Sequence, residues 1–273
     1  MFSGLLRTVA SRVLPSRQYF RLLARRLGSF ENEVRLLPLL CEPGKAAIDV
    51  GASNGSYVAH MLAWYDCCYA FEPRADALAY LQKRLSRAAG NRLRTEVVAL
   101  SDRDGHTTLR VLDKEPGRSS VQGSNPIESL GGISERVVPM RRLDSYTGLQ
   151  AAGLLKIDVE GHEAAVLRGA HGLLAAQQPA LIIEIEERHC PGSIHTVTTM
   201  LAGLGYQGYY LRGNQLVSIT GFDVQRDQRC AADGQPTPGG TYINNFVFLN
   251  AARQSALRAA CAAHPQLNLG FAA

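Results

Sequence analysis

The stretch Ile48-Asp49-Val50-Gly51-Ala52-Ser53-Asn54-Gly55-Ser56-Tyr57 decides the fold. A short apolar run ends at Val50, a turn with two glycines follows, and a helical stretch begins behind it. In a parallel α/β sheet this succession places a ligand at the C-terminal edge of the strand. Gly51 and Gly55 let the chain turn tightly and a ligand approach the backbone, because neither has a Cβ. Their spacing is G-x-x-x-G, whereas a dinucleotide site needs G-x-G-x-x-G, so the pyrophosphate cradle of NAD-dependent oxidoreductases is not supplied. Asp49, two residues before the first glycine, is suited to accept a hydrogen bond from the ammonium of an amino-acid moiety, a group that NAD lacks.

Outward from this turn, β-rich apolar runs alternate with helical ones, the pattern of βαβ units around a parallel sheet. Strands are expected over 46–50, 67–71, 93–98, 154–159, 181–186, 207–211 and 242–249, with helices over 75–88 and 163–174. The alternation breaks over 101–142, read as added β structure with strands at 106–112 and 136–142. The Gly- and Ser-rich residues 117–132 between them read as a mobile loop. Residues 226–240, polar and rich in Gly and Pro, read as a loop before the last strand. The expected organisation is a basic helical arm over 1–44, one α/β domain over 45–250, and a C-terminal helix or tail over 251–273.

The chain has 273 residues, 46% hydrophobic and 19% charged, with a formal net charge of +5. Residues 1–28 contain Arg7, Arg12, Arg17, Arg21, Arg25 and Arg26 and no acid, so the body carries a charge of roughly −1 and no excess that would attract a polyanion. Phe2, Leu5, Leu6, Val9 and Val13 share a helical face among those arginines. The segment fits an interfacial helix at a membrane, an organellar targeting segment, or a helix packed on the domain. No run is long and apolar enough to cross a bilayer, and the expected location is the cytoplasm, with peripheral contact through the arm. Six cysteines form no C-x-x-C pair and read as reduced thiols. Cys67 and Cys68, adjacent on a strand, face opposite sides of the sheet.

The second strand ends at Phe71-Glu72-Pro73, 21 residues after Gly51, where an acid takes paired hydrogen bonds from ribose hydroxyls. Ala99-Leu100-Ser101-Asp102 follows the third strand and offers an apolar contact and a polar cap for a base. The fourth strand runs into Leu155-Lys156-Ile157-Asp158-Val159-Glu160-Gly161-His162-Glu163. Lys156 and Asp158 share a strand face and are placed to pair, while Glu160 and Glu163 also suit a helix N-terminus. The fifth strand ends in Glu184, Glu186 and His189, with the two acids on one face, which suggests a polar, hydroxyl-bearing acceptor. No dense metal-ligand motif is present, and the expected reaction is metal-independent.

Taken together, the run 49–55, Phe71-Glu72-Pro73, Ala99–Asp102, the run 155–163, Ile183-Glu184-Ile185-Glu186 and Tyr242-Ile243-Asn244-Asn245-Phe246 resemble the FkbM-type methyltransferases over roughly residues 31–250. The resemblance implies a Rossmann-like, mostly parallel seven-stranded sheet whose last hairpin is reversed, and helices on both faces. It also implies S-adenosylmethionine as cofactor and O-methylation of a sugar, glycan or natural-product hydroxyl. The donor-contacting set is then Asp49, Gly51, Ser53, Asn54, Gly55, Tyr57, Glu72, Pro73, Leu100, Ser101 and Asp158. Asp158, Glu160 and His162 are the candidate bases, with Lys156 favouring a developing alkoxide, and Glu184, Glu186 and His189 face the acceptor. A nucleic-acid methyltransferase acting on an exocyclic amine would carry Asn/Asp-Pro-Pro-aromatic where this chain has Asp158-Val159-Glu160-Gly161. A non-catalytic nucleoside-binding protein of the same fold is the rival of a different class.

Overall fold

The computed structural model describes residues 14–27, 31–127, 131–231, 236–237 and 241–272. Among the described residues nine strands form the main sheet, in the order β12-β10-β9-β11-β8-β7-β1-β2-β3. They are β1 (Ala46–Val50), β2 (Cys67–Phe71), β3 (Leu93–Glu96), β7 (Ala152–Ile157), β8 (Ala180–Glu184), β9 (Gln207–Arg212), β10 (Gln215–Ser218), β11 (Asn245–Leu249) and β12 (Gly270–Phe271). The first five run parallel to one another, and β11 lies antiparallel between β8 and β9. The expected seven-stranded unit with a reversed strand is therefore present, and β10 and β12 widen its edge.

Every residue of β1, β2, β7 and β11 is buried, as continuous apolar runs in a sheet covered on both faces require. Neighbouring residues feed two separate cores: Ala47 and Cys68 pack on one face, Ile48 and Cys67 on the other. The six cysteines are free thiols.

Helix α1 (Ser16–Leu27) buries Tyr19, Phe20 and Leu23 in the first of these cores. Arg17 pairs with Asp66, the Arg21 guanidinium lies 4.7 Å from the Trp64 ring centroid, and Arg92 donates to Ser16 Oγ at 2.7 Å. Over residues 14–27 the arm is thus a helix packed on the domain. The apolar face at 2–13 lies outside the described residues. Among the described residues no helix is long and apolar enough to cross a membrane.

After a short α2 (Leu37–Leu40), α3 (Ser56–Met61) follows the first turn and α4 (Ala75–Ala89) the second. In α4, Leu78, Leu81 and Leu85 form the buried stripe. The helical run expected over 163–174 is two helices, α5 (Glu163–Gly169) and α6 (His171–Gln177), broken at Ala170 with φ −112° and ψ 8°. A Cβ at Gly169 would come within 1.8 Å of the Ser101 carbonyl oxygen, so the chain there presses directly on the strand-end turn. Helix α7 (Ser193–Ala202) links β8 to β9, and α9 (Ala251–Ala263) leads from β11 to β12.

The insert is a separate three-stranded sheet, β4-β6-β5, of β4 (Ala99–Leu100), β5 (Gly105–Leu112) and β6 (Ile133–Arg141). The loop between β5 and β6, described over 113–127 and 131–132, is folded back onto β5. Arg110 donates to the carbonyls of Gln122 and Asn125, and Ser120 exchanges backbone hydrogen bonds with Arg110. The last strand starts at Asn245 rather than 242, because Ile243 N bonds Asp227 O and Tyr242 bridges Gln228. The loop expected over 226–240 contains the end of a one-turn helix, α8 (Val224–Asp227), with Asp227 buried under Arg212 and Arg226.

Candidate active site

The strand order reverses between β1 and β7, so their carboxyl ends splay and leave a crevice between the turns that follow them. Asp158 N donates to Val50 O at 2.9 Å and holds the two ends together. Gly51 has φ +83°, and a Cβ there would sit 1.8 Å from the Asp158 carbonyl oxygen. Its missing side chain is thus demanded by the protein's own strand-end packing. At Gly55 a Cβ would strike Leu81 at 2.6 Å, and this glycine serves the contact between α3 and α4.

Two chambers open from the crevice and share Gly51, Ser53 and Asp158 as their common wall. The first, of about 130 Å³, is mostly apolar and lined by Phe71, Pro73, Val98, Leu100 and Val121, with Glu72, Arg74, Glu160 and His162 among its polar members. The second, of about 190 Å³, is polar and lined by Glu31, Asp49, Asn54, Ser56, Tyr57 and Lys156. Gly55 and Ser101 line neither chamber.

Glu72 is buried and held at both oxygens: Ser53 N donates to Oε2 at 2.8 Å and Arg74 N to Oε1 at 2.9 Å. Burial raises its pKa against the pull of these donors, and further lone pairs on both oxygens remain to accept hydroxyl hydrogen bonds. Asn54 Oδ1 accepts from Ser56 N and Oγ at 3.1 and 2.7 Å, so its side chain ties off the start of α3.

Asp49 is 1% exposed, and among the described residues neither of its carboxylate oxygens has a hydrogen-bond partner. Burial pushes its pKa up to about 7, against the attraction of Lys156. An orphaned acid of this kind at a chamber wall marks the place of a missing donor group. Lys156, 2% exposed, binds Asp158 Oδ2 at 2.9 Å and lies 4.6 Å from the Tyr57 ring centroid. Burial opposes its charge, but Asp158, Asp49 and Glu31 together hold it protonated. The expected pairing of Lys156 with Asp158 is present.

Beyond β7 the chain turns through Glu160 at φ +54°, a conformation unusual for a residue with a side chain. Its carbonyl accepts from Ser120 Oγ at 2.7 Å and Asn125 Nδ2 at 2.8 Å, so the insert loop clamps the strained residue. Its carboxylate lies 3.2 Å from His189 Nε2. Burial and the neighbouring Asp158 and Glu186 raise the Glu160 pKa well above the usual carboxylate range, while burial lowers that of His189 to about 4.

His162 has both ring nitrogens engaged, Nε2 with Ser101 Oγ at 2.8 Å and Nδ1 with Gln122 Oε1 at 3.0 Å, and burial lowers its pKa to about 4. It braces the wall of the first chamber as a neutral ring. Glu163 accepts from Gly161 N at 2.8 Å at the start of α5, with its pKa raised by burial to about 7.

Of the residues expected at the acceptor side, none lines either chamber. Glu184 accepts from Asn244 Nδ2 at 2.8 Å. Glu186 is held by Arg188 and the Tyr242 hydroxyl; burial opposes its charge, but these donors and His189 bring its pKa to about 2. Strand β8 ends at Glu184, so strand alternation does not carry the two acids onto one face. Among the described residues no group of three or more His, Cys, Asp or Glu is arranged to hold a metal ion. Sequence reading missed Arg74, which directly follows the Phe71-Glu72-Pro73 motif, and Glu31 and Gln122, which sit apart from the motifs and carry no local signal.

Residues 49–207 match the model of the methyltransferase FkbM domain. The chain belongs to the FkbM methyltransferase family. Family membership indicates S-adenosylmethionine as the cofactor. The sequence is 27% identical over 180 residues to Methyltransferase 1 of Beauveria bassiana, covering 58% of this chain and 71% of that one. It is 26% identical over 161 residues to the hexuronic acid methyltransferase AglP of Haloferax volcanii, covering 59% of this chain and 64% of that one. Among solved structures, the FkbM methyltransferase of Methylobacillus flagellatus has the same fold, with a TM-score of 0.50 at 16% identity over 88% of this chain. This chain spans 60% of that FkbM protein's length.

Proposed function

We propose that this FkbM-family protein transfers a methyl group from S-adenosylmethionine to a hydroxyl oxygen of a sugar or glycan. The observation that carries the donor half is the pair of chambers meeting at Gly51, Ser53 and Asp158, one apolar with a carboxylate at its wall, the other polar with an orphaned acid. An adenosine suits the first, with Glu72 accepting from the ribose hydroxyls and Pro73, Val98 and Leu100 against the base. The methionine end suits the second, where Asp49 receives the ammonium. The acceptor class draws on the similarity to a hexuronic acid methyltransferase.

When bound, S-adenosylmethionine supplies an electrophilic methyl group. The protein's part is to position the acceptor hydroxyl and take its proton. Glu160 is the base in this reading. Its carboxylate is less ionised than an ordinary one and so more basic, and it lines the first chamber next to Asp158. Asp158 is a poorer choice because Lys156 binds it, and His162 because both its nitrogens are occupied. Lys156, fixed and cationic, stabilises negative charge at the crevice.

Calorimetric titration of S-adenosylmethionine, and separately NAD, into wild type and Glu72→Ala tests the donor half. The expected result is binding of S-adenosylmethionine alone, weakened by the substitution. Methyl transfer is then screened on uronic acids and neutral glycosides with labelled donor. Binding of NAD in preference would end the reading.

A further inference from the structure

The second chamber contains more negative charge than the protein itself neutralises. Its acids are Glu31, Asp49 and Asp158, and the one cation lining it among the described residues is Lys156, which Asp158 takes at 2.9 Å. Asp49 has no hydrogen-bond partner at either oxygen although it is 1% exposed. Glu31 comes from a different part of the chain, between α1 and the turn Asn32–Leu36. Its carboxylate accepts a hydrogen bond from Asn245 Nδ2 at 3.1 Å. The segment behind it is pinned to the far edge of the sheet, where Arg35 donates to Asn214 Oδ1 and Leu267 O, both at 2.8 Å.

We infer that Glu31 is a donor-binding residue: with Asp49 it forms a two-carboxylate seat for the ammonium of the methionine moiety, so the N-terminal arm is part of the cofactor site. The inference rests on the donor reading above and deepens it. A carboxylate that is already held in place loses no rotamer freedom when an ammonium arrives, and in a poorly solvated chamber the charge-assisted bond is strong. Burial raises the pKa of Glu31, as it does that of Asp49, and a bound cation relieves both. The arm is not dispensable for binding on this account, even though its sequence shares nothing with the turn at 49–55.

The test is calorimetry on the full chain with three probes: S-adenosylmethionine, S-adenosylhomocysteine, and 5′-methylthioadenosine, which has the nucleoside but neither the ammonium nor the carboxylate. Glu31→Gln is expected to weaken the first two by about tenfold or more, the loss of one charge-assisted hydrogen bond, and to leave the third within about twofold. Glu31→Asp, which keeps the charge, retains most of the affinity for the first two. Unchanged binding of S-adenosylmethionine by Glu31→Gln overturns the inference, as does an equal loss for 5′-methylthioadenosine, which would mean damage to the whole site. Wild type that binds none of the three sinks the donor reading itself, a result distinct from either.

Discussion

Asp49→Asn should make the protein more stable and less able to bind its donor. Asp49 is fully buried with no partner, and its pKa stands at about 7 against an ordinary 3.8. An acid whose pKa is raised in the folded state destabilises that state when ionised. The penalty is absent below about pH 4, grows as pH rises, and is complete above about pH 7. At 1.36 kcal/mol per pH unit it reaches about 4 kcal/mol at pH 8 and is about 3 kcal/mol smaller at pH 5. The amide removes the charge but leaves buried polar atoms unpaired, which costs roughly 1–3 kcal/mol. The net gain is therefore about 1–3 kcal/mol at pH 8 and close to zero at pH 5, with each kcal/mol worth about 2–4 °C in a chain of this size. Scanning calorimetry of both proteins at the two pH values reads this directly, and titration with S-adenosylmethionine at pH 8 should show affinity reduced by about tenfold or more. A variant that melts below wild type at pH 8, or whose advantage is the same at both pH values, refutes the argument that unrelieved burial of this carboxylate is stored for the ligand.

Gly51→Ala places a Cβ 1.8 Å from the Asp158 carbonyl at φ +83°; urea unfolding should show a loss of at least about 3 kcal/mol, and a loss below about 1 kcal/mol would mean the two strand ends separate easily. Lys156→Met leaves Asp158 unpaired beside Asp49 and Glu31, with an expected loss of roughly 3–5 kcal/mol in the same assay at pH 8 and a smaller one at pH 5, where acids are easier to protonate. His162 and His189 both have pKa values lowered to about 4 by burial, so the stability that each neutral ring confers is full above about pH 6.5 and is lost as pH falls toward 4. Each contributes up to about 3 kcal/mol of that fall, and His162→Gln should remove about half of it; an unchanged acid limb would refute the neutral brace.

Much of the fold was legible because its signals are local. A buried parallel strand must be apolar along its whole length, and six of the seven expected strands lie within two residues of their observed ends. Only the last departs further, because backbone partners elsewhere set its start: residues 242–243 pair with 227–228. The break at Ala170 was illegible, since its cause is the pressure of Gly169 on a turn some seventy residues earlier. The loop over 117–132 looked mobile from its Gly and Ser content, yet its described part is anchored by Arg110 and Glu160, partners that composition does not reveal.

The same division runs through the site. Asp49, Glu72 and the charged run after β7 stood out because an acid inside or at the end of an apolar strand is expensive and therefore visible. Residues alone revealed most of the strands and the order of acids along the ligand edge, since each depends on residues within one strand and its turn. What each acid faces came from the packing of distant segments. That packing gave Glu186 to Arg188 and Tyr242, engaged His162 at both nitrogens, left Asp49 without a partner, and brought Glu31 from the arm into the chamber. The physical reason is that a charge's role is set by what surrounds it within a few ångströms, and in this crevice those surroundings come from segments more than a hundred residues apart.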